Sequence, residues 1–331
     1  MVLSRKGSTV RMTLRSKLSS RDGVYQGEAS MGAIVWIALD AATLALVSGI
    51  FKDGLLAGQL IIVSGGGSGI GRQTAIELTG LGADVVICGR EIEPLRETAD
   101  LCMSEGAEGS CSAMVCDIRE SDQVDALIKA TLETHGRIDT LANNAGGQFL
   151  APAEDITEKG FDTVIKLNVH GTWLMTHAVA TQWMIENGGG KIINVTLSPH
   201  NGMPGMVHSG AARAAVENMT KTLSIEWARF GIKLNALAIG QIATETLLTK
   251  YPQVVVDNLS ASIPAGRLGR PEEVAWQVAY LASEAGDFYS GSVLTMDGSR
   301  DNWLGPWPPT QLVNDAGKPV SEERRQSEKE E

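Results

Sequence analysis

A glycine-rich run between an apolar segment and a helical pattern constrains the fold of this chain more than any other stretch. Residues 64–71 read Ser-Gly-Gly-Gly-Ser-Gly-Ile-Gly; a strand is predicted before them at 60–63 and a helix over 70–79. Glycines let the backbone approach a phosphate without an intervening Cβ, and a helix start offers unpaired N–H groups to an anion. A glycine run alone is also typical of a flexible linker, but this position favours binding of a dinucleotide pyrophosphate.

Short apolar runs alternate with longer helical patterns along the chain. Strands are predicted at 60–63, 84–87, 112–115, 140–142, 191–195, 233–238 and 292–296, and helices at 70–79, 93–105, 122–134, 168–186, 211–230 and 271–282. This alternation predicts an α/β fold, namely a Rossmann-type, doubly wound parallel sheet of about seven strands with helices on both faces. We place this single domain at residues 52–300, between irregular extensions at 1–51 and 301–331.

The composition excludes several classes of function. The 331 residues carry a net charge of −11, whereas a nucleic-acid-binding surface is normally basic, so no nucleic-acid partner is expected. The four cysteines form no Cys-x-x-Cys pair and no His/Cys cluster. We therefore expect neither a metal site nor a disulfide scaffold, which fits a reducing compartment. Apolar residues make up 43% of the chain, which is ample for a packed core.

The two ends of the chain differ from the part between them. Residues 1–21 carry six basic side chains and no acidic one, and the apolar run at 33–51 contains Asp40. A basic lead before an apolar run is typical of a targeting peptide or a membrane anchor, but a charge inside a spanning helix is costly. We favour a poorly structured extension, or a segment translated from an upstream start codon, with no clear membrane partner. The chain ends Lys-Glu-Glu rather than with a Ser-Lys-Leu peroxisomal signal, so a cytoplasmic location is predicted.

Residues at the ends of the second and third predicted strands indicate which dinucleotide is bound. An NAD-binding protein usually has an acid after the second strand, which accepts a hydrogen bond from the ribose 2′-hydroxyl. Here Arg90 stands near that position, and Arg72 directly follows the glycine run. Guanidinium groups match a 2′-phosphate, so we predict NADPH in preference to NADH, with two solvated surface arginines as the alternative. Asp117, after the third strand, is placed to contact adenine, although an Asp at a turn is equally ordinary.

Further motifs give the chain a family resemblance. Residues 143–146 read Asn-Asn-Ala-Gly after the fourth strand, Asn168 lies in Leu-Asn-Val-His-Gly-Thr, and residues 240–244 read Gly-Gln-Ile-Ala-Thr. With the glycine run, these motifs resemble the short-chain dehydrogenase/reductase family from about residue 55 to residue 299, in the family's order and spacing. The resemblance implies that the nicotinamide dinucleotide contacts Ser64, Gly65, Gly67, Ser68, Gly69, Ile70, Gly71, Arg72, Arg90, Asp117, Ile118, Asn144, Ala145, Gly146, Arg213, Gly240, Ile242 and Thr244.

The chain departs from the family at its catalytic position. The family usually has Tyr-x-x-x-Lys at the start of the long helix after the fifth strand, with a serine thirteen residues before the tyrosine. Here the three positions hold Ser209, Arg213 and Thr196. The strings at 207–214 (Val-His-Ser-Gly-Ala-Ala-Arg-Ala) and at 143–155 resemble the trans-2-enoyl-CoA reductase branch of the family. The related 2,4-dienoyl-CoA reductases also lack the tyrosine but keep the lysine.

The resemblance implies catalytic roles for Ser209, Arg213, Thr196 and Asn168. A serine is a poor general base and an arginine stays protonated, so the family's usual alcohol chemistry is weakened. Reduction of a conjugated C=C needs hydrogen-bond donors for the thioester oxygen, which Ser209 and Thr196 supply, while Arg213 holds the nicotinamide ribose. Asn168 matches the residue that fixes a helix bend. The structural alternatives are a helix N-cap for Ser209, a surface charge for Arg213 and a backbone hydrogen bond for Thr196.

Three functions are compatible with this pattern. The first is NADPH-dependent reduction of a trans-2-enoyl-CoA substrate in fatty-acid metabolism. The second is oxidation of a branched or terpenoid alcohol or aldehyde, such as citronellol. The third is nucleotide binding without catalysis. We favour the first, with an acyl-CoA or a related lipid-like small molecule as substrate. The resemblance also implies a homotetramer that assembles through the helices predicted at 168–186 and 211–230.

Overall fold

The central sheet consists of parallel strands, as the alternating pattern predicts. The computed structural model describes residues 49–103, 107–198, 200–250, 253–303 and 305. Within these ranges, one seven-stranded sheet has the order β3-β2-β1-β4-β5-β6-β7, and every pair is parallel. The strands are β1 (Leu60–Ser64), β2 (Asp84–Gly89), β3 (Cys111–Val115), β4 (Thr140–Asn143), β5 (Gly190–Leu197), β6 (Ile232–Ile239) and β7 (Val293–Met296). The predicted Rossmann-type sheet of about seven strands is confirmed.

The strand order reverses at the centre of the sheet. From β1 the chain winds outward to β3, then crosses back to β4 on the other side of β1 and continues outward to β7. Parallel strands bring all carboxyl ends to one edge, and the crevice at such a reversal is where ligands bind in open α/β sheets. The glycine run follows β1 and the Asn-Asn-Ala-Gly motif begins in β4. Both motifs therefore meet at this crevice.

Helices cover both faces of the sheet. The α-helices are α1 (Gly69–Gly80), α2 (Ile92–Cys102), α3 (Ser121–His135), α4 (Glu158–Ile165), α5 (Thr172–Val179), α6 (Val207–Glu226), α7 (Glu245–Lys250), α8 (Gln253–Ala261) and α9 (Pro271–Ala282). Successive residues of β1 face opposite sides, so Ile61 joins the apolar cluster that contains Leu78 of α1, whereas Ile62 joins the cluster that contains Leu127 of α3. Burial on both faces explains why Leu60–Val63 of β1 are apolar without alternation.

The helical stretch before β5 begins ten residues before the predicted start at 168. It starts with α4, continues through a π-helical segment at Lys166–Gly171 and through α5, and ends in a second π-helical segment at Ala180–Met184. Thr157 begins it, because its hydroxyl oxygen accepts a hydrogen bond from the N–H of Gly160 at 3.1 Å. A π-helical segment interrupts the regular i to i−4 hydrogen bonds and is frequent at functional sites.

Two other departures from the predicted pattern affect the site. Helix α6 starts at Val207 rather than at 211, so Ser209 lies in its first turn and Met206 is the N-cap. The alternative role of Ser209 as the helix cap is therefore wrong. Helices α7 and α8 were not predicted; both lie between β6 and α9.

The extensions predicted at 1–51 and 301–331 lie mostly outside the described residues. Among the helices that are described, none combines the length and the apolar character needed to cross a membrane. All four cysteines are free thiols.

Candidate active site

The turn after β1 is built so tightly that only glycine fits at two of its positions. A Cβ added to Gly71 would lie 2.2 Å from the carbonyl oxygen of Gly65. A Cβ added to Gly65, where φ is +68°, would lie 2.9 Å from the Cα of Ala145. The turn therefore presents bare backbone at the amino end of α1, where unpaired N–H groups attract an anion.

Ser64 joins this turn to the Asn-Asn-Ala-Gly segment. The buried Ser64 hydroxyl accepts hydrogen bonds from the N–H groups of Asn144 and Ala145, both at 3.1 Å. In return, the Asn144 side-chain amide donates to the carbonyl oxygens of Ser64 (3.1 Å) and Gly65 (3.3 Å). These bonds fix the two sides of the crevice relative to each other. The structure thus brings Ser64, Gly65, Asn144 and Ala145 together, as predicted.

At the predicted adenosine end, Asp117 already has a partner in the chain. The Arg119 guanidinium forms an ion pair with the Asp117 carboxylate, with Nη2 and Oδ2 at 2.5 Å. These hydrogen bonds lower the pKa of Asp117, and the charge of Arg90 lowers it further. Sequence analysis did not single out Arg119, although an arginine two residues after an acid that follows a strand was a detectable signal.

The two arginines assigned to a 2′-phosphate differ in their surroundings. Arg72 donates from Nη2 to the carbonyl oxygen of Gly67 at 2.7 Å and pairs with Glu97 at 3.2 Å. Arg72 therefore stabilises the glycine turn, and part of the hydrogen-bonding capacity of its guanidinium is already occupied. Arg90 is exposed after β2 and has no ion pair among the described residues. Arg90 is therefore the freer of the two for an anionic ligand.

A buried asparagine holds the loop after β4 against the π-helical segment. The side-chain amide of Asn168 donates to the carbonyl oxygens of Gly147 and Val164, both at 2.8 Å, and its Oδ1 accepts from the N–H of Gly147 at 3.1 Å. Asn168 is fully buried. All three hydrogen bonds join Asn168 to backbone groups at the edge of the crevice. Asn168 is therefore a positioning residue.

Arg213 lies beside this asparagine, and Gly146 makes room for both. A Cβ at Gly146 would lie 2.4 Å from Arg213 Nη2 and 2.7 Å from Asn168 Oδ1. Arg213 donates from Nη1 to the carbonyl oxygen of Val195 at 3.0 Å, while its buried Nε has no hydrogen-bond partner in the described structure. Burial lowers the pKa of Arg213 to about 10, so the guanidinium remains a cation at neutral pH. It is a fixed positive charge inside the crevice, and the surface-charge alternative does not hold.

A hydrogen bond to Gln148 joins Ser209 to the loop after β4. The Ser209 hydroxyl donates to the side-chain oxygen of Gln148 at 3.1 Å, and its backbone N–H donates to Nδ1 of His208 at 2.8 Å. His208 is fully buried, packs edge-on against Phe149 at 4.3 Å between ring centroids, and keeps the helix start in place. Gln148 was not predicted as a site residue, although it belongs to the string that resembles the enoyl-CoA reductase branch.

Thr196 has a different position from the one that its spacing to Ser209 predicts. It is fully buried, and its hydroxyl donates to Oε1 of Glu217 at 2.9 Å, so it is not free to contact a substrate. The next residue, Leu197, lines the cavity instead, because neighbouring residues of a strand face opposite sides. Counting thirteen residues back from Ser209 therefore selects Thr196, whereas the residue that faces the cavity is the next one, Leu197.

A cavity of about 560 Å³ lies between the end of β5 and α6. Its walls are mainly apolar and small, including Leu197, Met203, Gly210 and Ala214, while Arg213, His200 and Glu217 supply charge. Such a mixture suits a ligand with an apolar body and a polar group near one end. His200 and Glu217 were not singled out in the sequence.

The remaining predicted residues surround the crevice or support it. A Cβ at Gly69 would lie 3.4 Å from Cγ2 of Thr244, so the segment after β6 approaches the glycine turn. Gly240 packs closely on Asp297, where a Cβ would lie 2.7 Å from Cβ of Asp297. Ile118 and Ile242 are buried and contribute packing. The other glycine-turn members, which follow β1 directly or open α1, are Gly67, Ser68 and Ile70.

Comparisons with known proteins agree with this geometry. Residues 65–299 match the family model described as "Enoyl-(Acyl carrier protein) reductase". The chain belongs to the short-chain dehydrogenase/reductase family. It is 36% identical to a probable (2E)-enoyl-CoA-producing 2,4-dienoyl-CoA reductase of Bacillus subtilis, over 76% of this chain and 98% of that protein. It is 34% identical to a peroxisomal 2,4-dienoyl-CoA reductase of Danio rerio, over 77% and 85% respectively.

A solved structure is also similar. The citronellol catabolism dehydrogenase AtuB of Pseudomonas aeruginosa PAO1 shares 42% identity and a TM-score of 0.68, over 76% of this chain and 98% of that one. The predicted family membership and oxidoreductase class are therefore confirmed.

The crevice of this short-chain dehydrogenase/reductase fits the nicotinamide dinucleotide that the family uses. The absence of side chains at Gly65 and Gly71 leaves backbone accessible in a space that a Cβ atom would fill. At the other end, Arg213 keeps an unpaired buried N–H. The turn at the start of α1 would hold the pyrophosphate, and Arg213 would hold the ribose beside the nicotinamide.

Proposed function

We propose that this protein reduces the C=C bond of a trans-2-enoyl-CoA with NADPH. The observation that carries the proposal is Ser209, which stands at the family's tyrosine position with its hydroxyl directed to Gln148. The tyrosines within the described ranges are Tyr280 and Tyr289, which pack on each other with ring centroids at 5.8 Å. The described part of the site therefore offers no phenol as acid or base. The two relatives named 2,4-dienoyl-CoA reductase support an acyl-CoA substrate.

The residues of the crevice suit this reaction because it needs positive potential and hydrogen-bond donors. The bound dinucleotide supplies a hydride. Negative charge then develops on the thioester oxygen of the substrate. The Ser209 hydroxyl, which is buried and donates to Gln148 in this structure, would exchange this partner for that oxygen. Arg213 supplies a fixed positive charge on the same helix. Neither residue has to ionise during the reaction.

The preference for NADPH over NADH rests on Arg90. Its side chain is exposed after β2, where an NAD-binding relative would have an acid, and its charge already acts on Asp117. A 2′-phosphate would be a stronger partner than a neutral ribose hydroxyl.

A second candidate function is oxidation of a terpenoid alcohol. It is favoured by the 42% identity to a citronellol catabolism dehydrogenase, which exceeds the identity to the 2,4-dienoyl-CoA reductases named above. This reaction requires a base for the hydroxyl proton, and Ser209 is a poor one.

One assay separates the candidates. Purified full-length protein is incubated with NADPH and either crotonyl-CoA or a longer trans-2-enoyl-CoA, and in parallel with NADP⁺ and citronellol. We expect NADPH oxidation that depends on the enoyl-CoA. NADP⁺ reduction by citronellol supports the second candidate instead, and tight NADPH binding without either reaction identifies a silent nucleotide-binding protein.

A pair of double variants tests whether the reaction occurs at this site. Ser209→Ala with Arg213→Ala should reduce the rate at least about a hundredfold, the usual cost of removing groups that stabilise a transition-state oxyanion. The matched control is Ser224→Ala with Arg229→Ala: Ser224, near the end of α6, donates to the carbonyl oxygen of Lys221, and Arg229, in the short turn that follows α6, lies over Phe230. Full activity of the first variant would place the reaction elsewhere.

A further inference from the structure

An imidazole at the edge of the cavity is held between two carboxylates. His200 Nδ1 lies 2.5 Å from Oδ2 of Asp301, and His200 Nε2 lies 3.2 Å from Oε1 of Glu217. Asp301 also accepts from the backbone N–H of His200 at 2.9 Å, and Asn201 donates to the Asp301 carbonyl oxygen at 2.9 Å. The ring is therefore fixed by a short bond at Nδ1 and a longer one at Nε2.

The two nitrogens of this ring have different partners, and the arrangement of Asp301 at Nδ1 resembles an Asp–His dyad. A carboxylate on Nδ1 holds the ring in one orientation and leaves Nε2 as the atom that exchanges a proton. The partner of Nε2, Glu217, is on α6 one turn after Arg213, and both line the same cavity as His200. The His200 side chain is 35% exposed, so a ligand in the cavity can reach the ring.

The reaction proposed above leaves one proton without a donor. Hydride addition to the β-carbon must be followed by protonation of the α-carbon, and neither Ser209 nor Arg213 releases a proton readily at neutral pH. Among the described residues that line this cavity, His200, Glu217 and Arg213 are the ones with ionisable side chains. A histidine is the side chain whose proton exchange is best matched to this pH range.

We propose that His200 is the acid that protonates the α-carbon of the substrate, with Asp301 as its positioning residue. The inference rests on the proposed enoyl-CoA reduction. As hydride forms the new C–H bond at the β-carbon, the C=C electron pair moves to an enolate on the substrate. The α-carbon then takes the Nε2 proton, the N–H bond breaks, and a neutral imidazole remains with its Nδ1–H donated to Asp301. Solvent returns the proton to Nε2.

The charges around the ring favour its protonated form. Burial alone would lower the pKa of His200, but the hydrogen bond to Asp301 and the charge of Glu217 outweigh it and raise the pKa. Arg213 lines the same cavity and its charge opposes this effect. Activity should accordingly be lost as pH rises through the raised pKa, because the acid form disappears.

The test is the pH dependence of kcat/KM for NADPH-dependent enoyl-CoA reduction in wild type, His200→Asn and Asp301→Asn. Wild type should lose activity about tenfold per pH unit above the pKa of His200. His200→Asn should lose this alkaline limb and fall about a hundredfold or more in kcat. Asp301→Asn should move the limb to lower pH. The affinity for NADPH, measured by fluorescence titration, should stay within about twofold in both variants.

A second readout does not depend on turnover. The imidazole of His200 is titrated by NMR in wild type and in Asp301→Asn, and its pKa should fall in the variant. The matched control for both experiments is His135→Asn. His135 is in the last turn of α3, and α3 runs back towards the amino ends of the strands, away from the cavity.

The outcomes separate this inference from the proposed function. A wild-type protein that does not reduce enoyl-CoA overturns both. A wild-type protein that reduces it, with His200→Asn keeping the rate and the alkaline limb, overturns the role of His200 alone and assigns the proton to water. An NMR titration in which Asp301→Asn leaves the pKa of His200 unchanged overturns the dyad.

Discussion

Arg213 occupies a lysine position of the family, and the exchange changes what the position can do. A lysine presents one compact ammonium group, whereas this guanidinium donates to the Val195 carbonyl oxygen with Nη1 and keeps Nη2 beside Gly146. Its lowered pKa of about 10 still leaves it charged at neutral pH. The residue therefore acts as a fixed charge and hydrogen-bond donor, with no part in proton transfer.

Replacing Arg213 by methionine should weaken NADPH binding by about 10- to 100-fold. The reason is the loss of charge-assisted hydrogen bonds, which contribute about 1.5–3 kcal/mol each. Fluorescence titration with NADPH measures the effect. Arg229→Met is the control, since Arg229 is exposed in the short turn that follows α6. An unchanged Kd for Arg213→Met would remove Arg213 from the cofactor site.

Replacing Arg90 by aspartate should shift the preference from NADPH towards NADH. The change exchanges a phosphate partner for an acceptor of the ribose 2′-hydroxyl. The ratio of kcat/KM for the two cofactors measures it and should move at least about tenfold. Arg96→Asp makes the same change of charge at an exposed position on α2 and should leave the ratio unaltered. A constant ratio in Arg90→Asp would contradict the assignment.

Thr196 illustrates why single positions are hard to assign from sequence. Spacing alone selects it, but the direction of a side chain on a strand reverses with every residue. The structure directs Thr196 to Glu217 and leaves Leu197 at the cavity. His200 and Glu217 were missed for a related reason: their role depends on Asp301, which lies about a hundred residues away in the chain.

The π-helical segment at Lys166–Gly171 depends on Asn168 for its contact with the rest of the site. That side chain satisfies backbone groups of Gly147 on the loop after β4 and of Val164 in α4. If these bonds are removed, buried polar groups remain without partners, which costs about 1–3 kcal/mol per group.

Asn168→Ala should therefore destabilise the fold by about 2–4 kcal/mol, which corresponds to a fall in Tm of roughly 5–15 °C. Thermal and urea unfolding measure the change. Asn187→Ala is the matched control, because Asn187 also bonds a backbone carbonyl oxygen, that of Trp183, but at the exposed end of the second π-helical segment. If both variants lose the same stability, the burial of Asn168 is not the cause.

The helices that sequence analysis missed are short or weakly patterned. Helix α4 has eight residues and buries only Val164, so its apolar pattern barely completes one turn. Helix α6 was predicted to start late because Gly210 interrupts its first turn. Strand β1 was predicted well, because burial on both faces leaves a continuous apolar run. Helix α1, predicted at 70–79, extends one residue further at each end.

Assembly of several chains remains a prediction from the family resemblance. Helix α6 carries Ile225, whose side chain is 79% exposed in the single chain. A large apolar residue exposed on a helix of the predicted contact is typical of a surface that a partner covers. We expect light scattering of the wild-type protein to give four times the chain mass of 35.1 kDa.

Ile225→Asp should lower that mass to two chains or one, because a buried unpaired charge at such a contact is costly. Met103→Asp places the same charge on an apolar residue that is 53% exposed after α2, outside the predicted contact, and should not change the mass. A monomeric wild-type protein would contradict the predicted homotetramer.

The reversal of strand order between β1 and β4 could be predicted in outline, because the alternating pattern and the glycine run together require a doubly wound sheet. The cavity could not, since it depends on how the chain folds between β5 and α6. Few apolar repeats mark that stretch, and its side chains contact β5, α6 and the segment after β7.

The cavity wall has a consequence for how such enzymes diversify. Most of the wall comes from one contiguous stretch, residues 200–214. The glycine turn follows β1, and Ser64 connects it to Asn144 after β4. Exchange of residues 201–206 with those of a relative, with His200 retained, should therefore change the substrate preference and leave the dinucleotide-binding part of the enzyme unaltered.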